Sequence, residues 1–194
     1  MFNLSKLFTL PSQIKEREDF MAKPLLFLDI DGVLNTENNK DKRLHHYAPS
    51  GAPCIFEKTI TPLKIFLKRT NSKIILTSSW QEDIFQNTKD GMFLLEMLKH
   101  YDIHIENFTR PLYPDDFDDE YNELRGKTIK RMLTKKSKFV IFDDRRFDFE
   151  KEGLMSNFVK INPKKGLVFK DIQKAFEIIN ANNNFLDEIH PRLR

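Results

Sequence analysis

Short apolar runs alternate along the chain with segments in which apolar residues recur every three or four positions. Such runs are typical of buried strands, and the helical spacing predicts helices between them. The predicted strands cover 25–30, 73–80, 103–108, 138–144 and 157–161, and the predicted helices cover 61–70, 91–100, 125–133 and 169–179. In the first of these helices we expect Thr61 to be the N-cap and Pro62 to be the first helical residue.

Strands that alternate with helices favour βαβ units, in which a helix joins two parallel strands. Because such crossovers are right-handed, the helices cover both faces of the sheet. The pattern therefore predicts an α/β fold, a Rossmann-like three-layer sandwich with a mostly parallel sheet of about five strands. The sequence contains no internal repeat and no second domain that we can identify.

The pattern also divides the chain into three parts. Residues 1–22 are predicted to form an N-terminal arm or a short helix, residues 23–182 the domain, and residues 183–194 a C-terminal tail. Within the domain, residues 35–57 are polar, and we predict a long irregular insertion that contains His45 and His46 as loop residues. The acidic segment 109–124 is also predicted to be a loop.

Composition and charge exclude several classes of protein. The 194 residues are 40% hydrophobic and 31% charged, as in a globular protein, and the net charge of +3 is too small to indicate nucleic-acid binding by itself. The single cysteine, Cys54, excludes an intramolecular disulfide and a zinc site built from cysteines. No apolar stretch approaches the roughly 20 residues of a membrane span. These features predict a soluble, cytoplasmic protein.

Polar side chains follow three of the predicted strands. Asp29 and Asp31 lie at the end of the first strand, Thr77 and Ser78 near the end of the second, and Asp143 and Asp144 at the end of the fourth; this set of six is the candidate site. Carboxyl ends of parallel strands share one edge of the sheet, so these groups are expected to meet there. Neighbouring carboxylates are costly unless a cation compensates them, which favours a hard metal ion such as Mg²⁺.

A positively charged side chain near a helix start would complete this set. Lys127 and Arg125 both lie there, and the sequence leaves the choice between them open. Carboxylates, a metal ion and a cation suit phosphoryl transfer, which depends mostly on positioning and charge stabilisation. One carboxylate can attack phosphorus while the other protonates the leaving oxygen.

The segment from Asp29 to Val33 resembles motif I of the haloacid dehalogenase (HAD) superfamily of phosphotransferases. The resemblance implies that Asp29 is the nucleophile and Asp31 the general acid and base. It implies that Ser78, or alternatively Thr77, binds the substrate phosphate together with Lys127 or Arg125. Mg²⁺ would be held by four acidic residues, namely Asp29, Asp31, Asp143 and Asp144, with Asp148 as an outer member.

Four short segments indicate a narrower group of proteins within this superfamily. They are Ser78-Ser79-Trp80, Arg125-Gly126, Phe142-Asp143-Asp144-Arg145 and Gly166-Leu167. Together they resemble the HAD domains of RNA-repair proteins, and Asp143-Asp144-Arg145 also resembles the phosphatase half of polynucleotide kinase-phosphatases. We expect Trp80 itself to pack beneath the site.

The resemblance implies a Mg²⁺-dependent phosphatase that acts through an aspartyl-phosphate. The spacing between the motifs implies a small or absent cap, hence an open site and a phosphorylated macromolecule or nucleotide as substrate. An RNA or DNA end, a nucleotide and a phosphoprotein stay open as substrates. A protein phosphatase with the same fold and a catalytically inactive HAD-like binding module are the alternatives. The sequence does not indicate an oligomeric state.

Overall fold

The computed structural model describes residues 23–37, 39–109 and 124–181. The strands are β1 (Leu25–Leu28), β2 (His45–Tyr47), β3 (Pro53–Phe56), β4 (Lys73–Leu76), β5 (Ile105–Phe108), β6 (Phe139–Asp143) and β7 (Phe158–Lys160). The α-helices are α1 (Glu57–Thr70), α2 (Trp80–Phe85), α3 (Lys89–His100), α4 (Arg125–Met132) and α5 (Phe169–Ala181). Short 3₁₀ helices cover Asn39–Leu44 and Met155–Asn157. The predicted arm 1–22, the tail 183–194 and most of the acidic loop 109–124 lie outside the described residues.

Five strands form one parallel sheet in the order β5-β4-β1-β6-β7. Strand β1 is central and pairs with β4 on one side and with β6 on the other, in register at Leu28 with Leu76 and with Phe142. The order reverses direction around β1, which is the switch point at which ligands bind in open α/β sheets. The predicted parallel sheet is therefore confirmed.

Alternation along β1 divides the core between the two faces of the sheet. Leu26 and Leu28 belong to the larger apolar cluster, which includes residues of α1, α3 and α5. Leu25 and Phe27 belong to a smaller cluster, which includes Ile129 of α4. Successive side chains of a strand point to opposite faces, so a continuous apolar run is required when both faces are covered. The three-layer α/β architecture predicted from the sequence is confirmed.

The start predicted for the first helix is wrong. Helix α1 begins at Glu57, directly after β3, and Pro62 lies inside it rather than at its first position. The hydroxyl of Thr59 shares its single hydrogen between the carbonyl oxygens of Leu34 and Phe56, at 2.9 Å and 2.7 Å, which anchors the first turn. Since an early proline removes only one backbone hydrogen bond, this anchoring and the burial of the helix outweigh its cost.

The insertion 35–57 is more regular than the predicted loop. Strands β2 and β3 pair in an antiparallel hairpin that precedes α1. His45 is buried with its ring stacked on Phe56 at 4.3 Å, so it is a packing residue of the hairpin. The Nε2 atom of His46 lies 3.1 Å from Glu57 Oε1 and 2.8 Å from Tyr101 Oη. This hairpin is small, with strands of three and four residues.

In the described parts of the chain, none of the helices combines the length and the apolar character that a membrane crossing requires.

Candidate active site

The polar residues after three strands meet at one edge of the sheet. Asp29 follows β1 directly, and its amide continues the β1–β6 ladder by donating to the carbonyl of Phe142. Thr77 follows β4 and likewise donates its amide to Leu28. Asp143 is the last residue of β6 and is fully buried. These backbone bonds hold the side chains where their strands end.

Arg125, the first residue of α4, binds two of these acids. Its Nη1 atom lies 2.8 Å from Asp29 Oδ2 and 2.5 Å from Asp143 Oδ2. The side chain of Arg125 is only 11% exposed, so the pairs are shielded from solvent. Although burial opposes its charge, the two carboxylates hold the pKa of Arg125 above its ordinary value. The structure thus brings Arg125 into contact with the acids from a position 96 residues after Asp29.

Lys127, the other candidate cation, is exposed. Its backbone amide donates to Asp148 Oδ2 at 3.0 Å, and the amide of Gly126 donates to Asp148 Oδ1 at 2.5 Å. Asp148 therefore caps the start of α4, where carboxylates are stabilised by unpaired amides and the helix dipole. Gly126 permits this approach, because a Cβ atom there would lie 2.7 Å from Asp148 Oδ1. The cap fixes the helix start from which Arg125 enters the site.

An aromatic ring also supports Arg125. The guanidinium carbons of Arg125 and Arg145 lie 4.1 Å and 4.6 Å from the centre of the Phe147 ring. Cation–π contacts of this kind stabilise a guanidinium group by about 0.5–2 kcal/mol. Phe147 adopts a left-handed backbone conformation with φ of 41°, which is unusual for an aromatic residue and marks a strained turn after β6.

Three carboxylates form a candidate metal site. Asp29, Asp143 and Asp144 each offer an oxygen atom, and these atoms lie within 4.8 Å of one another. Burial, followed by the charge of Asp29, raises the pKa of Asp143 to about 8 and also raises the pKa of Asp144. Arg125 thus offsets only part of the effect of burial and negative charge on Asp143 and Asp144, and a divalent cation would supply further positive charge. The all-oxygen donor set therefore fits a hard ion such as Mg²⁺.

Gly32 lets Asp144 join this cluster. It has φ of 70°, and a Cβ atom at this position would lie 2.8 Å from the side chain of Asp144. Glycine adopts such a backbone conformation without a steric penalty. Glycine is therefore needed at position 32 for two reasons: the turn requires a positive φ, and the side chain of Asp144 leaves no room for a Cβ atom.

Asp31 is exposed and is not one of the three acids whose oxygen atoms cluster within 4.8 Å. Its Oδ1 atom accepts hydrogen bonds from Asn35 Nδ2 at 2.7 Å and from Trp80 Nε1 at 3.1 Å. Trp80 was expected to serve only for packing, but its indole nitrogen contacts an acid of the site. The sequence expectation missed this because Trp80 stands 49 residues after Asp31.

Thr77 and Ser78 place two hydroxyl groups at the same edge. They are 1% and 3% exposed, and neither Thr77 Oγ1 nor Ser78 Oγ has a hydrogen-bond partner among the described residues. Buried hydroxyls normally find a partner, and leaving one unpaired costs about 1–3 kcal/mol. A ligand with acceptor oxygens, such as a phosphate, would satisfy both.

The sequence reasoning missed contacts made by four residues of this region. Asn35, Trp80 and Phe147 contact site residues, and Asp148 caps α4 with both of its carboxylate oxygens. Of these contacts, only the capping of α4 by Asp148 could have been expected from the sequence, because acidic side chains stabilise the starts of helices. That partner lies 22 residues downstream, beyond the range of local capping patterns.

Comparison with known proteins agrees with this architecture. Residues 25–172 match the family described as the HAD domain in Swiss Army Knife RNA repair proteins. No curated protein and no solved structure matches the chain significantly. The matched range includes all five strands of the sheet and every residue of the candidate site. The chain therefore belongs to the HAD-domain family of the Swiss Army Knife RNA repair proteins, within the haloacid dehalogenase superfamily.

Proposed function

We propose that this protein is a Mg²⁺-dependent phosphatase that acts through an aspartyl-phosphate. The observation that carries the proposal is the buried contact of Arg125 with Asp29, at a sheet edge that also holds two further acids and two hydroxyl groups without a partner among the described residues. Such a site offers a carboxylate nucleophile, a fixed positive charge and empty hydrogen-bonding capacity for phosphate oxygens.

In the proposed reaction, Asp29 attacks phosphorus, and the bond between phosphorus and the leaving oxygen breaks. Asp31 gives its proton to that oxygen, so an alcohol departs. Asp31 then takes a proton from water as the water oxygen attacks phosphorus, and the bond to Asp29 breaks to release inorganic phosphate. Arg125 and the hydroxyls of Ser78 and Thr77 stabilise the phosphoryl oxygens.

We assign the magnesium ion to the acids Asp29, Asp143 and Asp144, with Asp31 contributing through its backbone carbonyl. When bound, Mg²⁺ screens the charge of the nucleophile from that of the phosphate. Asp144 is only half-buried, which leaves it accessible to an ion that retains part of its water shell. Lys127 is exposed and away from these acids, so Arg125 is the better candidate for the phosphate-binding cation.

The metal assignment predicts a pH-dependent effect of Mg²⁺ on stability. The folded pKa of Asp143, about 8, exceeds the unfolded value, so the metal-free protein loses stability as pH rises from the unfolded pKa to the folded one. Mg²⁺ competes with that proton. We therefore expect saturating Mg²⁺ to raise the melting temperature by about 5 °C or more near pH 8, and by less near pH 6.

Thermal unfolding with and without Mg²⁺ at the two pH values tests this prediction. Asp143→Asn removes the titrating acid and a metal ligand, so its melting temperature should respond little to Mg²⁺ at either pH. Asp171→Asn, a buried acid of α5 that lies outside the site, is the matched control and should respond as the native protein does. An equal Mg²⁺ effect in Asp143→Asn and the native protein would contradict the assignment.

As substrate we propose a phosphorylated nucleic-acid end. The matched family is described by its occurrence in RNA repair proteins. Residues 125–151, which supply Arg125 and two of the acids, contain ten Lys and Arg residues against four Asp and Glu residues, although the net charge of the whole chain is only +3. Among these cations Lys127, Arg145 and Arg146 are exposed to solvent. Such a concentration of positive charge in the segment that supplies Arg125, Asp143 and Asp144 suits a polyanion.

Phosphate release from four substrate classes tests the proposed function. They are 3′- and 5′-phosphorylated oligonucleotides, mononucleotides, phosphopeptides and an aryl phosphate, each assayed with Mg²⁺. We expect one kind of oligonucleotide end to be hydrolysed with the highest kcat/KM. Preference for phosphopeptides would favour a protein phosphatase, and no release from any substrate with any divalent ion would favour a binding module without catalysis. A cytoplasmic location stays a prediction.

A further inference from the structure

Two buried donors meet on one oxygen of Asp31. Asn35 Nδ2 and Trp80 Nε1 both donate to Oδ1, at 2.7 Å and 3.1 Å. Asn35 and Trp80 are 5% and 6% exposed, whereas Asp31 is exposed. The carboxylate thus lies at the surface of the site and is held there by groups from the protein interior.

Each donor is itself held in place. Asn35 Oδ1 accepts the amide of Gly32 at 2.8 Å, and Asn35 Nδ2 donates a second hydrogen bond to the carbonyl of Pro53 at 2.9 Å. These bonds tie the Asn35 side chain to the turn after β1 and to the hairpin strand β3. Trp80 begins α2 and packs in the larger apolar cluster. Since neither side chain can turn without breaking such contacts, the donors define one orientation for Asp31.

We propose that Asn35 and Trp80 are positioning residues that orient Asp31 for proton transfer through its Oδ2 atom. An indole N–H and an amide NH₂ group are donors only, so an oxygen that accepts both is a poor place for the carboxyl proton. The proton is therefore carried on Oδ2 and passes to the leaving oxygen as its bond to phosphorus breaks. This inference rests on the proposed function, in which Asp31 is the acid.

The proposal makes a prediction that a purely structural role does not share. A leaving group that is a strong base needs its proton in the transition state, whereas a weakly basic one departs without it. Misorientation of Asp31 must therefore slow substrates with poor leaving groups more than those with good ones. A general loss of folded protein lowers the rates for all substrates by the same factor.

The main experiment compares Trp80→Phe with the native protein on phenyl, alkyl and 4-nitrophenyl phosphates. Phenylalanine keeps most of the apolar contact but has no N–H group. We expect kcat to fall about tenfold or more for alkyl and phenyl phosphates, and about threefold or less for 4-nitrophenyl phosphate, with KM little changed. Asp31→Asn should show the same dependence on leaving group, with a larger loss.

A second variant and a control keep the result interpretable if Trp80→Phe folds poorly. Asn35→Ser shortens the other donor beyond the reach of Asp31 and should produce the same leaving-group dependence. Phe108→Leu alters a residue of the same core cluster that donates no side-chain hydrogen bond, and its effect should be uniform across substrates.

A uniform loss across the leaving groups in both Trp80→Phe and Asn35→Ser, with an active native protein, would overturn the positioning role and leave the proposed function intact. A native protein that hydrolyses none of these phosphates would overturn the proposed function, and the positioning role with it.

Discussion

Asp29→Asn is expected to lower phosphatase activity by about 10⁴-fold or more, because an amide cannot form the aspartyl-phosphate. Asn has nearly the same shape, and Arg125 keeps its contact with Asp143 in the variant, so the fold should persist. Phosphate release in the presence of Mg²⁺, measured at substrate saturation, checks the expected loss.

The matched control for this variant is Asp171→Asn. Asp171 is also a buried carboxylate with a raised pKa, caused first by its burial, but it lies in α5 and accepts from the amide of Val168. Its substitution should leave kcat unchanged. Native-like activity in a pure preparation of Asp29→Asn would show that another group attacks phosphorus, and the proposed mechanism would be wrong.

Arg125→Ala is expected to have the largest effect on stability. Its removal leaves Asp29 and Asp143, which are 4% and 0% exposed, without their positive partner. Breaking a buried ion pair by removing one partner costs about 3–5 kcal/mol. We expect a loss of this size in the free energy of unfolding, measured by denaturant titration without metal, together with a loss of phosphatase activity.

Two further variants test whether Arg125, rather than Lys127, is the phosphate-binding cation. Arg125→Lys keeps the charge but loses the planar guanidinium group that lies against Phe147, so its stability should lie between those of the native protein and the alanine variant. Lys127→Ala removes an exposed cation and should change stability by about 0.5 kcal/mol or less. If Lys127→Ala lost more activity than Arg125→Ala, the assignment of the phosphate-binding cation would be reversed.

Mg²⁺ should restore part of the stability of Arg125→Ala. A divalent ion between Asp29 and Asp143 would supply the positive charge that the arginine provided. The stabilisation by Mg²⁺ should therefore be larger in this variant than in the native protein, measured under the same conditions.

Several features were predictable because their signals are local. The apolar runs before Asp29 and Asp143 predicted strands of a parallel sheet, and that sheet is present. The start of α4 near Gly126 was also predicted correctly. By contrast, the proline rule placed the start of α1 too late, because the tertiary anchor at Thr59 lies outside the reach of a local pattern.

The sequence alone does not indicate whether Arg125 or Lys127 contacts the acids of the site. The two residues are two positions apart on one helix, and nothing local distinguishes their charges. The helix rotation set by burial of Ile129 and by the Asp148 cap turns Arg125 toward Asp29 and leaves Lys127 in solvent. The same holds for Trp80, whose contact with Asp31 depends on the pairing of β1 with β4.

The sequence by itself determined the fold class and the types of group at the strand ends, since both follow from short-range patterns of apolar and acidic residues. Only the tertiary structure decided which groups touch: Arg125 with Asp29 and Asp143, and Trp80 and Asn35 with Asp31. The physical reason is that contacts between distant segments depend on strand order, helix rotation and side-chain packing. These are properties of the whole chain and have no local signature.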